Sequence, residues 1–79
     1  MERIEIFNKL NKIFCEILDL DEVTLTDDTS ANDIEEWDSL AQIQLIVAIE
    51  KAFFIKFNSQ EILSWKNVGA MIDCILSKL

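Results

Sequence analysis

Apolar residues recur at helical spacing in three stretches of this 79-residue chain, and one long polar stretch interrupts them. From Arg3 to Leu18, Ile4, Phe7, Leu10, Phe14, Ile17 and Leu18 form a stripe that Ile6 and Ile13 widen. Asp19 to Asp38 has no sustained period and is rich in Asp, Thr, Ser and Asn, which predicts a loop. A loop of that length inside a small domain is more often functional than a mere connection. Val23, Leu25 and Ile34 are expected to pin it to the rest of the molecule. A second helix is predicted over Ser39–Phe53, with Asp38 placed to cap its first amides. A short third helix is predicted over Ser59–Ser64, where Asn58 and Glu61 have capping-box spacing. The fourth begins near Asn67 and carries Val68, Met71, Ile72, Ile75, Leu76 and Leu79 on one stripe. Phe53 to Phe57 has the composition of a strand, but there is no good second strand for it to pair with, so it reads as a helix end and connector. The expected fold is all-α: a small four-helix bundle with three longer helices, a short third one and a long first loop.

The second helix carries more apolar surface than a bundle this small can bury. Leu45, Ile46, Ile49 and Phe53 form an arc suited to the core. Leu40, Ile43 and Val47 form another, flanked by Gln44 and Lys51 on one side and Glu50 on the other. The second arc is expected to be partly exposed and to serve as a contact surface. Ile43, Ile46, Ile62 and Leu63 would equally suit a pocket or ordinary core packing.

Length and composition set the remaining bounds. Residues 1–79 suffice for one domain, and 51% hydrophobic content supplies a core. No apolar run is long enough to span a bilayer and no secretory pattern is present, so a cytoplasmic monomer without membrane insertion is expected. Histidine is absent, which removes Ser-His and Cys-His nucleophile pairs. Cys15 and Cys74 lack zinc-ligand spacing and read as reduced thiols in or near the core. Residues 19–30 lack the glycine and spacing of a calcium loop, and no Gly-x-Ser-x-Gly elbow is present. The net charge of −8 is uneven. Residues 1–40 hold twelve acids and three bases, whereas residues 41–79 hold three acids and four bases. Asp19 to Asp38 contains nine acids and no base. Such a field repels nucleic acid and anionic membranes and attracts basic protein surfaces.

That acidic stretch leads to Trp37-Asp38-Ser39-Leu40, where a serine opens an apolar helix. A phosphodiester on Ser39 would meet free amide N–H groups and the positive end of the helix dipole, worth about 0.3–1 kcal/mol at a surface site. Nothing in the chain would activate Ser39 as a catalytic nucleophile, so it reads as a tether and the chain as a non-enzyme.

At these residues the chain resembles the acyl carrier proteins and related peptidyl carrier domains. Asp38-Ser39-Leu40 matches their Asp-Ser-Leu attachment motif, and helix order, acidic loop and short third helix agree along nearly the whole chain. The resemblance implies that Ser39 carries 4′-phosphopantetheine, attached by a phosphopantetheinyl transferase from coenzyme A with magnesium. The arm's thiol would then hold an acyl or aminoacyl group for an activating ligase and acyl-processing enzymes. It further implies docking through Asp38, Leu40, Ile43, Val47 and Glu50, with Asp38 also presented to the transferase and its metal ion. Trp37 stands where fatty-acid carriers have a small residue, and looks more like the free-standing carriers of specialised bacterial pathways. Ala41, Gln44 and Lys51 occupy positions that are often acidic in fatty-acid carriers. Phe54 stands where relatives often have glycine, at a cost of about 1 kcal/mol if that backbone needs a positive φ. The competing reading is an unmodified helical adaptor, in which Ser39 is only a helix-start serine.

Overall fold

A computed structural model describes residues 2–79. It contains helices α1 (Arg3–Leu18), α2 (Ser39–Phe53), α3 (Ser59–Leu63) and α4 (Val68–Lys78), with a 3-10 turn at Ala31–Asp33 inside the first loop. No strand occurs among the described residues, and Phe54–Phe57 is a connector as the pattern implied. The all-α four-helix bundle is the observed architecture, with α1 packed against both α2 and α4.

Most of each helical stripe becomes core, although Ile4 and Leu79 at the chain's two ends are exposed. Ile6, Leu10, Phe14 and Leu18 of α1 meet Ala41, Leu45, Ile49 and Phe53 of α2, and Val68, Met71, Ile72 and Ile75 of α4 complete the interior. At about 25 cal/mol per Å² of apolar surface removed from water, side chains of this size each contribute about 1.5–3 kcal/mol. This burial, rather than helix propensity, holds a chain of 79 residues folded. Cys15 and Cys74 are half-buried free thiols. Burial pushes the Cys74 thiol upward, and the nearby Glu61 carboxylate acts in the same direction.

The acidic loop is tied down along its length. Leu25 is buried, and Val23 and Ile34 are half-buried against the core, as expected. Trp37 is also buried, an outcome its place in a charged loop did not reveal. Its ring meets Phe14 edge-on at 4.9 Å, and its indole N–H donates to Gln42 Oε1 at 2.6 Å. Arg3 reaches across from α1 to Asp27 in the loop and to Asp73 of α4, the latter at 2.8 Å, and these carboxylates push the guanidinium pKa up. The loop also closes over the start of α4. Val68 N–H donates to Thr29 O at 2.7 Å and Gly69 N–H to Asp27 O at 3.0 Å. Gly69 permits that approach, since a Cβ there would lie 2.9 Å from the Asp27 carbonyl oxygen. The chain's only glycine is thus required by proximity rather than by backbone conformation.

Phe54 ends α2 in the left-handed region at φ 56°, with its side chain 93% exposed. The backbone at this position therefore does need a positive φ, and a β-carbon there costs about 1 kcal/mol or more.

Candidate functional site: the open start of helix α2

Asp38 lies in an extended conformation and accepts the Ala41 amide on its carboxylate at 2.8 Å. Its backbone carbonyl accepts the Gln42 amide at 2.9 Å, so helix pairing begins there. Between these caps, the amides of Ser39 and Leu40 meet no acceptor among the described residues. Ser39 is exposed, and its hydroxyl has no internal partner among those residues. The chain's other serines sharpen the contrast. Ser30 hydrogen-bonds to Asp33, Ser64 donates to Glu61 O and Ser77 donates to Cys74 O. Only Ser59, which opens the five-residue α3, is comparably free among the described residues.

A free hydroxyl beside unpaired amides at a helix start can hold an anionic ester. The dipole and the N–H groups both favour negative charge there. Ser39 also borders an open cavity of about 520 Å³, whose other walls come from Trp37, Gln42 and the Trp65–Asn67 segment that leads into α4. Because Ser39 is exposed, a large substituent on it can extend into solvent.

Comparison with known proteins decides the family. Residues 8–75 match the family model described as the phosphopantetheine attachment site. The chain belongs to this family. Over its whole length this carrier is similar to the acyl carrier protein of Guillardia theta, at 35% identity and spanning 98% of that relative. It is 30% identical to the acyl carrier protein of Petrotoga mobilis, again over all of this chain and 93% of the relative. Its fold is similar to the solution structure of a holo acyl carrier protein from Geobacter metallireducens, with a TM-score of 0.85 and 43% identity. That similarity covers 91% of this chain and 83% of the other. The protein is therefore a phosphopantetheine-bearing acyl carrier, and the adaptor reading gives way to it.

On this carrier, the residues expected to dock partners fall into two groups. Leu40, Ile43 and Val47 are 67%, 61% and 45% exposed, while Leu45, Ile49 and Phe53 on the other face of α2 are buried. The two arcs read from the sequence are thus a solvent face and a core face, except that Ile46, expected in the core arc, is only half-buried and stands outside the core cluster. Glu50 is half-buried, and its carboxylate accepts the Phe57 amide at 2.8 Å, which fastens the connector after α2. Asp38 is exposed despite its capping bond. Ile43 and Leu63 are exposed and Ile46 and Ile62 half-buried, so the four do not form one enclosed pocket. Among the described residues no cluster of ligating side chains would hold a metal ion, and no helix is long and apolar enough to cross a membrane.

Sequence reasoning missed the structural part played by Ala41. It is buried against the core, so a carboxylate at this position would need a different local packing. The spacing Ala41, Leu45, Ile49 and Phe53 carried that signal, but alanine's small size hid it.

Proposed function

We propose that Ser39 is the residue on which this carrier holds 4′-phosphopantetheine, and that the exposed face of α2 presents the loaded arm to partner enzymes. The carrying observation is the open start of α2: an exposed, unpartnered hydroxyl in Asp38-Ser39-Leu40, next to two unpaired amides. A phosphopantetheinyl transferase supplies the chemistry of attachment. The Ser39 Oγ–P bond forms, the diphosphate linkage of coenzyme A breaks and its adenosine bisphosphate half leaves. The proton lost from Oγ passes to a base on the transferase, since this chain has no histidine to take it. Once in place, the cofactor contributes a thiol that holds an acyl or aminoacyl group as a thioester.

The residues of the chain orient and present rather than catalyse. Asp38 fixes the first turn of α2 through the Ala41 amide and shows its remaining oxygen to solvent, where the transferase and its metal ion approach. Leu40, Ile43 and Val47 offer apolar contact next to the attachment point. Glu50 supports that face from the far end of the helix by holding the connector. The acidic loop, with nine acids between Asp19 and Asp38, steers basic partner surfaces toward it. The protein acts as a cytoplasmic monomer serving an activating ligase and acyl-processing enzymes.

Incubation with a broad-specificity transferase, coenzyme A and magnesium tests the assignment by intact mass. One phosphopantetheinyl addition is expected. A folded sample that gains no mass overturns it.

A further inference from the structure

We propose that the groove between α1 and α2 receives an amphipathic helix of a partner enzyme, held by its apolar stripe and by a carboxylate that meets Lys51. This rests on α2 as the face that presents the loaded arm, and it adds the chemistry of the surface that reads that face. The groove is open and about 600 Å³ in volume. Ile17 of α1 and Ile43, Val47 and Ala48 of α2 supply its apolar walls. The apolar surface also runs on past the groove. Leu40, Ile43, Val47 and Phe54 follow one another at spacings of three, four and seven residues, and all four are exposed. A stripe at that period suits the apolar face of a second helix laid along it.

Charge decides which kind of helix fits. Lys51 and Glu16 both line the groove, both are exposed, and neither forms an ion pair among the described residues. The chain carries a net charge of −8, yet the stretch from Ser39 to Ser64 has only two acids, Glu50 and Glu61. Both are half-buried and engaged: Glu50 accepts the Phe57 amide, and Glu61 accepts the Asn58 amide and pairs with Lys78. The exposed charged residues of that stretch are Lys51 and Lys56, both cations. They follow a loop with nine acids and no base.

The two charge regions are far enough apart to be read separately. Lys51 lies twelve residues beyond Ser39, about 18 Å along the helix at 1.5 Å per residue. That exceeds the Debye length of about 8 Å at physiological salt. A uniformly basic helix would suit the acidic loop but set a cation against Lys51. A helix with basic residues toward Asp38 and an acid toward Lys51 satisfies both ends, and Glu16 on the α1 wall offers a further seat for a base. The order of charges then fixes the direction of the helix in the groove, and with it which end of the partner faces Ser39.

A stapled helical peptide is the probe. It carries a leucine stripe, lysines at one end, glutamates at the other and a nitroxide label on the glutamate end. Titrated into ¹⁵N-labelled holo protein at about 0.15 M salt, it should shift the amides of Ile17, Ile43 and Val47. Nitroxide broadening should be stronger at Lys51 than at Leu40. Lys51→Glu should weaken binding about twofold to fivefold, the range of an exposed charge pair, and abolish that gradient, while Lys51→Arg should keep both. No shifts in the groove, a reversed gradient, or binding that Lys51→Glu leaves unchanged overturns the proposal. So does movement of the same amides by anionic phosphatidylglycerol vesicles when the peptide moves none, which would assign the groove to a membrane surface. Intact mass run in parallel separates the failures. A full mass gain with any of these results leaves the carrier assignment standing, and no mass gain in a folded sample overturns both.

Discussion

Helices α2 and α4 begin alike and end up in opposite situations. Each has an Asx residue in extended conformation whose side chain accepts the amide three positions on: Asp38 from Ala41 and Asn67 from Ala70. At α4 the next two amides are also taken, Val68 by Thr29 O and Gly69 by Asp27 O, so the loop seals this helix start. At α2 the corresponding amides, those of Ser39 and Leu40, meet nothing among the described residues. Unpaired helix-start amides are ordinarily covered or capped because they attract acceptors. The loop closes one helix start and leaves the other open. The difference comes from the same loop, which folds over α4 and leads past α2.

The largest expected contrast is between Ser39→Ala and Gly69→Ala. The first should abolish modification completely and shift stability by no more than about 0.5 kcal/mol, as exposed substitutions usually do. The second should leave Ser39 modifiable. It should cost about 1–3 kcal/mol, because the new Cβ would lie 2.9 Å from the Asp27 carbonyl oxygen and the loop would have to move. Mass spectrometry and urea unfolding of both variants read the two effects. A modified Ser39→Ala protein, or a Gly69→Ala protein as stable as its parent, would break the comparison.

The two caps give a finer test. Asp38→Ala and Asn67→Ala each remove a single side-chain cap and should each cost about 1 kcal/mol. Only Asp38→Ala should slow the transferase, and it should do so by more than its stability loss explains. Equal transfer rates for the two variants would remove Asp38 from the recognition of the site.

How much of this was legible from the residues follows from the range of the interactions. The bounds of α1 and α2 and the Asp38 cap depend on local spacing, and the chain shows them openly. The division of α2 into a Leu40-Ile43-Val47 face and a Leu45-Ile49-Phe53 face is legible too, because a period of 3.6 sorts residues by face, although Ile46, assigned to the core arc, sits at its edge and is only half-buried. Trp37 was read as a mark of kinship, and its contact with Phe14, far away in sequence, became visible only once α1 and the loop were brought together. Arg3 bridging Asp27 and Asp73 is hidden for the same reason. Gly69 was the most legible of the missed signals. A lone glycine beside a helix cap marks a close approach, although the residue it approaches is not encoded nearby.

The smallest effect is expected at the third helix start. Glu61 accepts the Asn58 amide and pairs with Lys78, and these bonds hold its carboxyl below the usual range. Its folded pKa is below the unfolded value of 4.5, so its contribution is fully present above that pH. As pH falls through 4.5 the unfolded chain takes up the proton first, and the contribution is lost by the time the folded pKa is passed. Glu61→Gln should therefore flatten the acid limb of the stability profile, with the Ser39 site unaffected. A parent-like slope below pH 4.5 would count against the capping role.

Site mapping of the modified protein by tandem mass spectrometry tests the central claim most directly, because Ser59 opens α3 after Asn58 much as Ser39 opens α2 after Asp38. The phosphopantetheinyl group is expected on Ser39 alone. Its appearance on Ser59, or on any serine in the Ser39→Ala variant, would contradict the assignment.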